Sequence, residues 1–194
     1  MIAKTLFGLE DILADELTAL GAQDVKTLNR SVEFYGDDKL LYKANLWCRT
    51  ATRILKPIFN FKVRNEQALY SEVFKINWRD YFNLNQTFSI DAVINDSVFN
   101  NSLFAAQKTK DAIADYFRQK TGRRPSVDVR NPDVKINLYI YRDDCSLALD
   151  SSGEPLFKRG YRDRTGEAPL NEILAAGMVL HSGWDKKSPL VDAM

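Results

Sequence analysis

The chain has 194 residues and carries 27 Lys and Arg against 26 Asp and Glu, a formal net charge of +1. This length allows one large domain or two small ones, and the charge balance excludes a general polycation. No run of eighteen apolar residues occurs, so no membrane-spanning helix is expected.

The opening MIAKTLFGLEDIL has one early lysine, but acids follow at once and no small-residue cleavage site appears, so no signal peptide is read. Cys48 and Cys145 each sit in an apolar-patterned stretch and read as small buried thiols. His181 is the only histidine, read as a partly buried structural residue, and no zinc-ligand spacing can be assembled around it. No metal site is expected, and a reducing, cytoplasmic setting fits. The distribution of charge says more than its total. Residues 1–40 are net −4, 41–104 net +3, 105–142 net +5 and 143–194 net −3. A basic middle between acidic ends points to a local cationic patch.

Residues 2–6 are a short apolar run that reads as a first strand. Residues 8–20 follow as a helix, with Leu9, Ile12, Leu13, Leu17 and Leu20 at helical spacing and Glu10, Asp11, Asp15 and Glu16 on the other side. Gly21 is its natural C-terminal cap. Residues 23–28 and 31–35 read as two strands around an Asn29-Arg30 turn. Asp37 caps a second helix reaching Cys48, with Leu40, Leu41, Ala44 and either Trp47 or Cys48 inward. Residues 54–63 are another extended run, in which Pro57 argues for an edge position. The order β-α-β-β-α-β is the ferredoxin-like pattern, a subdomain over residues 1–62.

A second unit, α/β with one sheet, is read over residues 63–152. Residues 66–76 are helical through Leu69, Val73 and Ile76, and Trp78, Tyr81 and Phe82 lie in a loop or short turn. Residues 87–94 alternate, with Phe88, Ile90, Ala92 and Ile94 on one side. Residues 102–120 form the longest helix, with a buried stripe of Ala106, Thr109, Ala112, Ile113, Tyr116 and Phe117, ended by Gly122 and Pro125. The clearest strand sends Val134, Ile136, Leu138 and Ile140 inward and Lys135, Asn137, Tyr139 and Tyr141 outward. A turn at 142–144 leads to a return strand through Cys145, Leu147 and Leu149. Residues 153–168 suit a linker, Asn171 caps a last helix with Leu170, Ile173, Leu174 and Leu180 available for packing, and Leu190, Val191 and Asp192 read as the start of a strand.

Two groups of residues carry candidate chemistry. Lys108, Lys110, Arg118, Lys120, Arg123, Arg124 and Arg130 crowd one helix and its exit. Cations spaced along a surface neutralise phosphates, and arginine does so bidentately. Cations at a helix C-terminus also complement its dipole, so the four from Arg118 to Arg124 fit either role. The second group is Lys158-Arg159-Gly160-Tyr161-Arg162, where cations around one ring can hold a backbone while the ring stacks on a base. A charged linker is the plainer reading of the same residues. No nucleophile–base pair, glycine-rich phosphate loop or Asn-Pro-Pro-aromatic motif is present, so no catalytic residue is assigned.

The tail strings together RGYR, G-x-A-P-L, E-x-L-A-A, S-G-W and a closing L-V-D-x-M. Further pieces run through the chain: GLE at 8–10, N-L-W-x-R at 45–49, Ile76-Asn77-Trp78, Lys110-Asp111-Ala112-Ile113, Pro132-Asp133 and Ala148-Leu149-Asp150. In these the chain resembles bacterial THUMP-containing rRNA methyltransferases, above all the 23S, large-subunit rRNA guanine-N2 methyltransferases of proteobacteria. The resemblance covers nearly the whole chain and implies an α+β architecture. In it a ferredoxin-like subdomain and a THUMP α/β domain bind RNA, followed at 153–194 by the truncated start of a Rossmann-like methyltransferase domain. The family's THUMP profile would begin nearer residue 40.

The resemblance also implies S-adenosylmethionine as cofactor, with Asp192 at its pocket, although Ala193 stands where the family usually has proline and the glycine-rich loop is missing. The chain then reads as a fragment, inactive alone, of a protein often fused to a second, guanine-N7 methyltransferase. Its expected partner is large-subunit rRNA, met by Lys108, Lys110, Arg118, Lys120, Arg123, Arg124, Arg130, Lys135, Arg159, Tyr161 and Arg162, with neither DNA nor membrane. A stand-alone THUMP RNA-binding adaptor and the THUMP module of a tRNA-modifying enzyme are the other readings.

Overall fold

The structure is a computed structural model that describes residues 1–160 and 169–191. The chain divides into two units, Met1–Leu55 with Glu154–Met194, and Lys56–Gly153.

The first unit runs β1 (Ile2–Thr5), α1 (Glu10–Ala19), β2 (Gln23–Leu28), β3 (Ser31–Tyr35), α2 (Asp38–Trp47) and the opening of β4 (Ala51–Lys62). Its strands lie in the order β2-β3-β1-β4 with every neighbour antiparallel, the ferredoxin-like arrangement. Ala3, Leu13, Leu17, Val32, Phe34, Leu41, Ala44 and Ile54 form its core. The Asp37 carboxylate accepts the Leu40 N–H at 2.8 Å and starts α2 as its sequence predicts. At the other end of α2 it is Cys48 that is buried, while Trp47 stands in solvent.

β4 begins three residues before the expected position. Its first residues, Ala51, Thr52 and Arg53, carry no apolar alternation, and what makes them a strand is pairing with β1, Thr5 opposite Ala51. Glu16 of α1 anchors this corner, accepting the Thr50 N–H at 3.0 Å and the Thr50 hydroxyl at 2.7 Å. Helix α5 (Glu172–His181) belongs to the same unit, started by the Asn171 side chain, which accepts the Ile173 N–H at 2.9 Å. A Cβ on Gly177 would stand 2.5 Å from Cδ2 of Leu9, the residue before α1, so the bare glycine lets α5 approach the leucine closely. Of the apolar residues available on α5 Ile173 is buried, whereas Leu170 and Leu174 are exposed. Two expectations fail here. Leu190 and Val191 are exposed and lie in no strand, since among the described residues no neighbour offers them backbone bonds, and His181 is exposed at the last position of α5.

The second unit holds the rest of β4, then α3 (Glu66–Lys75), a 3-10 turn at Trp78–Asp80, β5 (Phe88–Asn95), α4 (Ser102–Thr121), β6 (Val134–Tyr141) and β7 (Asp144–Asp150). Its strand order is β4-β7-β6-β5. β5 and β6 are parallel, which demands a crossover, and α4 supplies it, whereas β6 and β7 form an antiparallel hairpin. The edge position expected from Pro57 is not met, since β4 has β1 and β7 as neighbours; the proline is accommodated beyond the stretch paired with β1, which ends at Leu55.

Leu69, Val73, Phe88, Ile113, Phe117, Ile136, Leu138, Ile140 and Leu147 pack around Trp78, which is fully buried and donates its indole N–H to the Val73 carbonyl at 2.9 Å. The buried stripe of α4 starts at Ala105, not Ala106. Ala106 falls in phase with the buried Ile113 and Phe117 but is itself only half-buried. Among the described residues no helix is long and apolar enough to cross a membrane, and no three His, Cys, Asp or Glu gather as metal ligands.

Candidate nucleic-acid interface

Helix α4 ends in a left-handed cap at Gly122, whose φ of 73° suits a residue without Cβ and whose N–H donates to the Arg118 carbonyl at 2.9 Å. This cap turns the chain back on itself, so Arg118, Lys120, Arg123 and Arg124 crowd the negative end of one helix, all exposed. Asp115 organises two of them. One of its carboxylate oxygens meets Arg118 Nη2 at 3.1 Å and Arg124 Nη2 at 2.5 Å, and the other accepts the Tyr70 hydroxyl of α3 at 2.9 Å. The Arg124 guanidinium holds the Asp115 carboxyl below the usual carboxylate range. Burial, followed by the bond to Asp115, pushes the Tyr70 hydroxyl up. Lys120 and Arg123 have no acidic partner among the described residues.

The other candidates scatter. Lys108 lies with its Nζ 5.8 Å from the centre of the Phe104 ring, and Lys110 pairs with Asp111 at 3.0 Å. Both stand on the first half of α4, Lys110 about 15 Å from Lys120 at 1.5 Å per residue. Arg130 is exposed at the tip of a turn in which Asp128 accepts the Arg130 N–H at 2.8 Å and the Asn131 N–H at 3.0 Å. Asp133 pins that turn to the start of β5 by accepting the Thr87 N–H and hydroxyl at 2.7 and 2.9 Å. Lys135 is opposite Ser89 in the β5–β6 register, and strand alternation sends it to the side of the sheet away from Ile136 and the helices.

Arg159 is engaged by the backbone of its own chain. Its guanidinium donates to the carbonyls of Leu156 (2.8 Å), Asn45 (3.0 Å), Cys48 (2.7 Å) and Leu46. Three of these close the C-terminal end of α2, where carbonyls lack helical partners and a cation complements the dipole. Tyr161, Arg162 and Asp192 lie outside the described residues. Asp115 and Tyr70 are the members of the cluster that the sequence reading missed. The one available signal is the spacing of Asp115 and Arg118, three residues apart on a helix.

The two cysteines are buried and inert as nucleophiles. Burial, reinforced by Glu16, pushes the Cys48 thiol up to about 12, and burial alone does the same for Cys145.

Residues 1–55 match the RlmL ferredoxin-like domain, residues 63–150 the THUMP domain, and residues 159–194 the RMKL-like methyltransferase domain. Among solved structures, the chain is similar to a predicted N6-adenine-specific DNA methylase from Listeria monocytogenes, with 31% identity and a TM-score of 0.82 over 94% of this chain and 48% of that one. It is also similar to SMU.472, described as a candidate methyltransferase and solved with SAH, with 31% identity and a TM-score of 0.84 over 97% and 50%. A 4-thiouridine synthetase solved with RNA and ATP shares the fold alone, at 16% identity and a TM-score of 0.52 over 77% and 40%. The chain spans about half the length of the two methylase structures.

Fold and matches together define a class: an α+β chain built from a ferredoxin-like domain, a THUMP domain and the start of a methyltransferase domain. The two flanking matches are to models of the RlmL and RMKL kind, an arrangement similar to that of THUMP-containing methyltransferases of the RlmL type.

Proposed function

We propose that this chain is the RNA-binding front of an S-adenosylmethionine-dependent methyltransferase acting on N2 of a guanine in 23S rRNA. The observation that carries the RNA-binding half is the cation cluster at the end of α4 in a THUMP domain. There Arg118 and Arg124 share one carboxylate and keep donors free, while Lys120 and Arg123 have no acidic partner among the described residues. Such a cluster takes a phosphate backbone, with the Asp115 carboxylate holding two guanidinium planes ready for it. The match of residues 159–194 and the SAH found in a relative support methyl transfer with S-adenosylmethionine in the whole protein. The choice of guanine N2 in large-subunit rRNA rests on the tail motifs.

The name of the Listeria relative favours a second reading, adenine N6 in DNA. The THUMP domain argues for RNA. The test has two arms. Anisotropy titrations of the 194-residue chain against 23S rRNA fragments, tRNA and duplex DNA over a salt series should show tightest binding to rRNA. Lys120→Glu with Arg123→Glu, which breaks no ion pair, should weaken it roughly tenfold and lower the salt slope by about two. Unchanged affinity and slope would remove the cluster from the interface. In the second arm the whole protein, given methyl-labelled S-adenosylmethionine, should yield N2-methylguanosine in digested rRNA; label only in DNA adenine would overturn the assignment.

A further inference from the structure

Helix α2 buries Leu40, Leu41, Ala44 and, at its cap, Cys48. At a hundred degrees per residue, Lys39, Tyr42, Lys43 and Leu46 fall in one arc on the opposite side, and Trp47, seven residues after Leu40, stands at the edge of that arc. A surface helix ordinarily turns polar residues there. Here Tyr42 is 74% exposed, Trp47 64% and Leu46 63%. Two aromatic rings and a leucine gathered in water mark a docking surface.

The lysines say what docks. Lys39 and Lys43 are one turn apart on the same arc, and neither has an acidic partner among the described residues. Of the two acids just before Lys39, Asp37 turns its carboxylate into the helix to accept the Leu40 N–H, and Asp38 stands exposed beside the lysine. Tyr35 of β3, itself exposed, lines the same shallow hollow as Lys39 and Lys43. An apolar protein partner would leave both ammonium groups to be desolvated without a counter-charge. An RNA strand satisfies both features, since unpaired bases stack on rings while flanking phosphates meet the cations.

We propose that the outer face of α2 is a second RNA contact, in which Trp47 and Tyr42 stack unpaired bases and Lys39 and Lys43 hold the adjoining phosphates. It rests on the reading of the chain as RNA-binding and specifies single-stranded RNA as what this face takes.

The chain has three tryptophans, and Trp78 is fully buried, so in a Trp184→Phe background Trp47 is the exposed one. Emission is followed while a mixed-sequence twelve-nucleotide RNA, or the blunt duplex of that sequence, is added. Saturable quenching by the single strand, and less by the duplex, is expected. Trp47→Ala should weaken single-strand binding roughly tenfold. Lys39→Gln with Lys43→Gln should lower the salt slope by about 1.4. All three side chains are exposed, so melting temperatures should hold. If Trp47→Ala leaves single-strand affinity unchanged while Lys120→Glu with Arg123→Glu abolishes RNA binding, the α2 contact is wrong and the RNA reading stands. If the unmodified chain binds no RNA, both fall. A dimer that becomes monomeric on Trp47→Ala, by light scattering, would assign the face to a second copy and overturn the proposal.

Discussion

The Arg159 guanidinium closes the C-terminal end of α2 through the carbonyls of Asn45, Leu46 and Cys48 and ties the segment at Leu156 to it. A planar fork with several donors suits this task, whereas a lysine ammonium reaches fewer carbonyls at once. Replacing Arg159 by Ala should cost about 1–2 kcal/mol in urea unfolding, and Arg159→Lys should recover only part of it. RNA affinity of the folded variant should match that of the parent chain, and a loss of affinity without a loss of stability would return Arg159 to the interface. The segment around Arg159 showed a basic residue in a charged linker; nothing near it in sequence announced a helix end, because the carbonyls it serves lie more than a hundred residues away.

At the scale of elements, α3 and α4 are joined across their polar edges by the Tyr70 hydroxyl and Asp115. Tyr70→Phe keeps the ring and removes one charge-assisted bond, so a loss of about 1 kcal/mol is expected in thermal or urea unfolding. It should also free Asp115 from one of its three partners without breaking either arginine pair. No change in stability would mean that water replaces the hydroxyl at no cost. Element starts were readable wherever their cause is local. Asp37 and Asn171 cap α2 and α5 as their sequences suggest, since a capping carboxylate or amide reaches only two or three residues ahead. The start of β4 was not readable, because Thr50 and Ala51 owe their place to Glu16 and to β1. The cations of α4 were visible as a cluster, but their sorting into paired and unpaired members depends on Asp115 and on the turn at Gly122.

For the whole molecule, the two buried thiols set an alkaline limit. Both have folded values of about 12 against an ordinary 9.0, raised chiefly by burial. A raised value means that the fold keeps the neutral thiol while the unfolded chain ionises it. Their contribution is therefore complete below pH 9 and is lost as pH rises from there toward 12. Urea midpoints should fall over that range, and a Cys48→Ala, Cys145→Ala chain should show a shallower fall. Equal slopes for the two chains would show that the thiols reach solvent.

The sequence by itself determined the class of fold. Two-residue and 3.6-residue periods, the caps and the glycine ends are local, and they spell out β-α-β-β-α-β followed by a second α/β unit. The tertiary structure decided what individual side chains do. It set Arg159 against the carbonyls at the end of α2, fixed Arg118 and Arg124 on one carboxylate, and left Trp47 in water while burying Cys48. Period and composition say that a residue is charged or apolar. Only the packing of elements distant in sequence says which partners reach it, and so which groups remain free to meet another molecule.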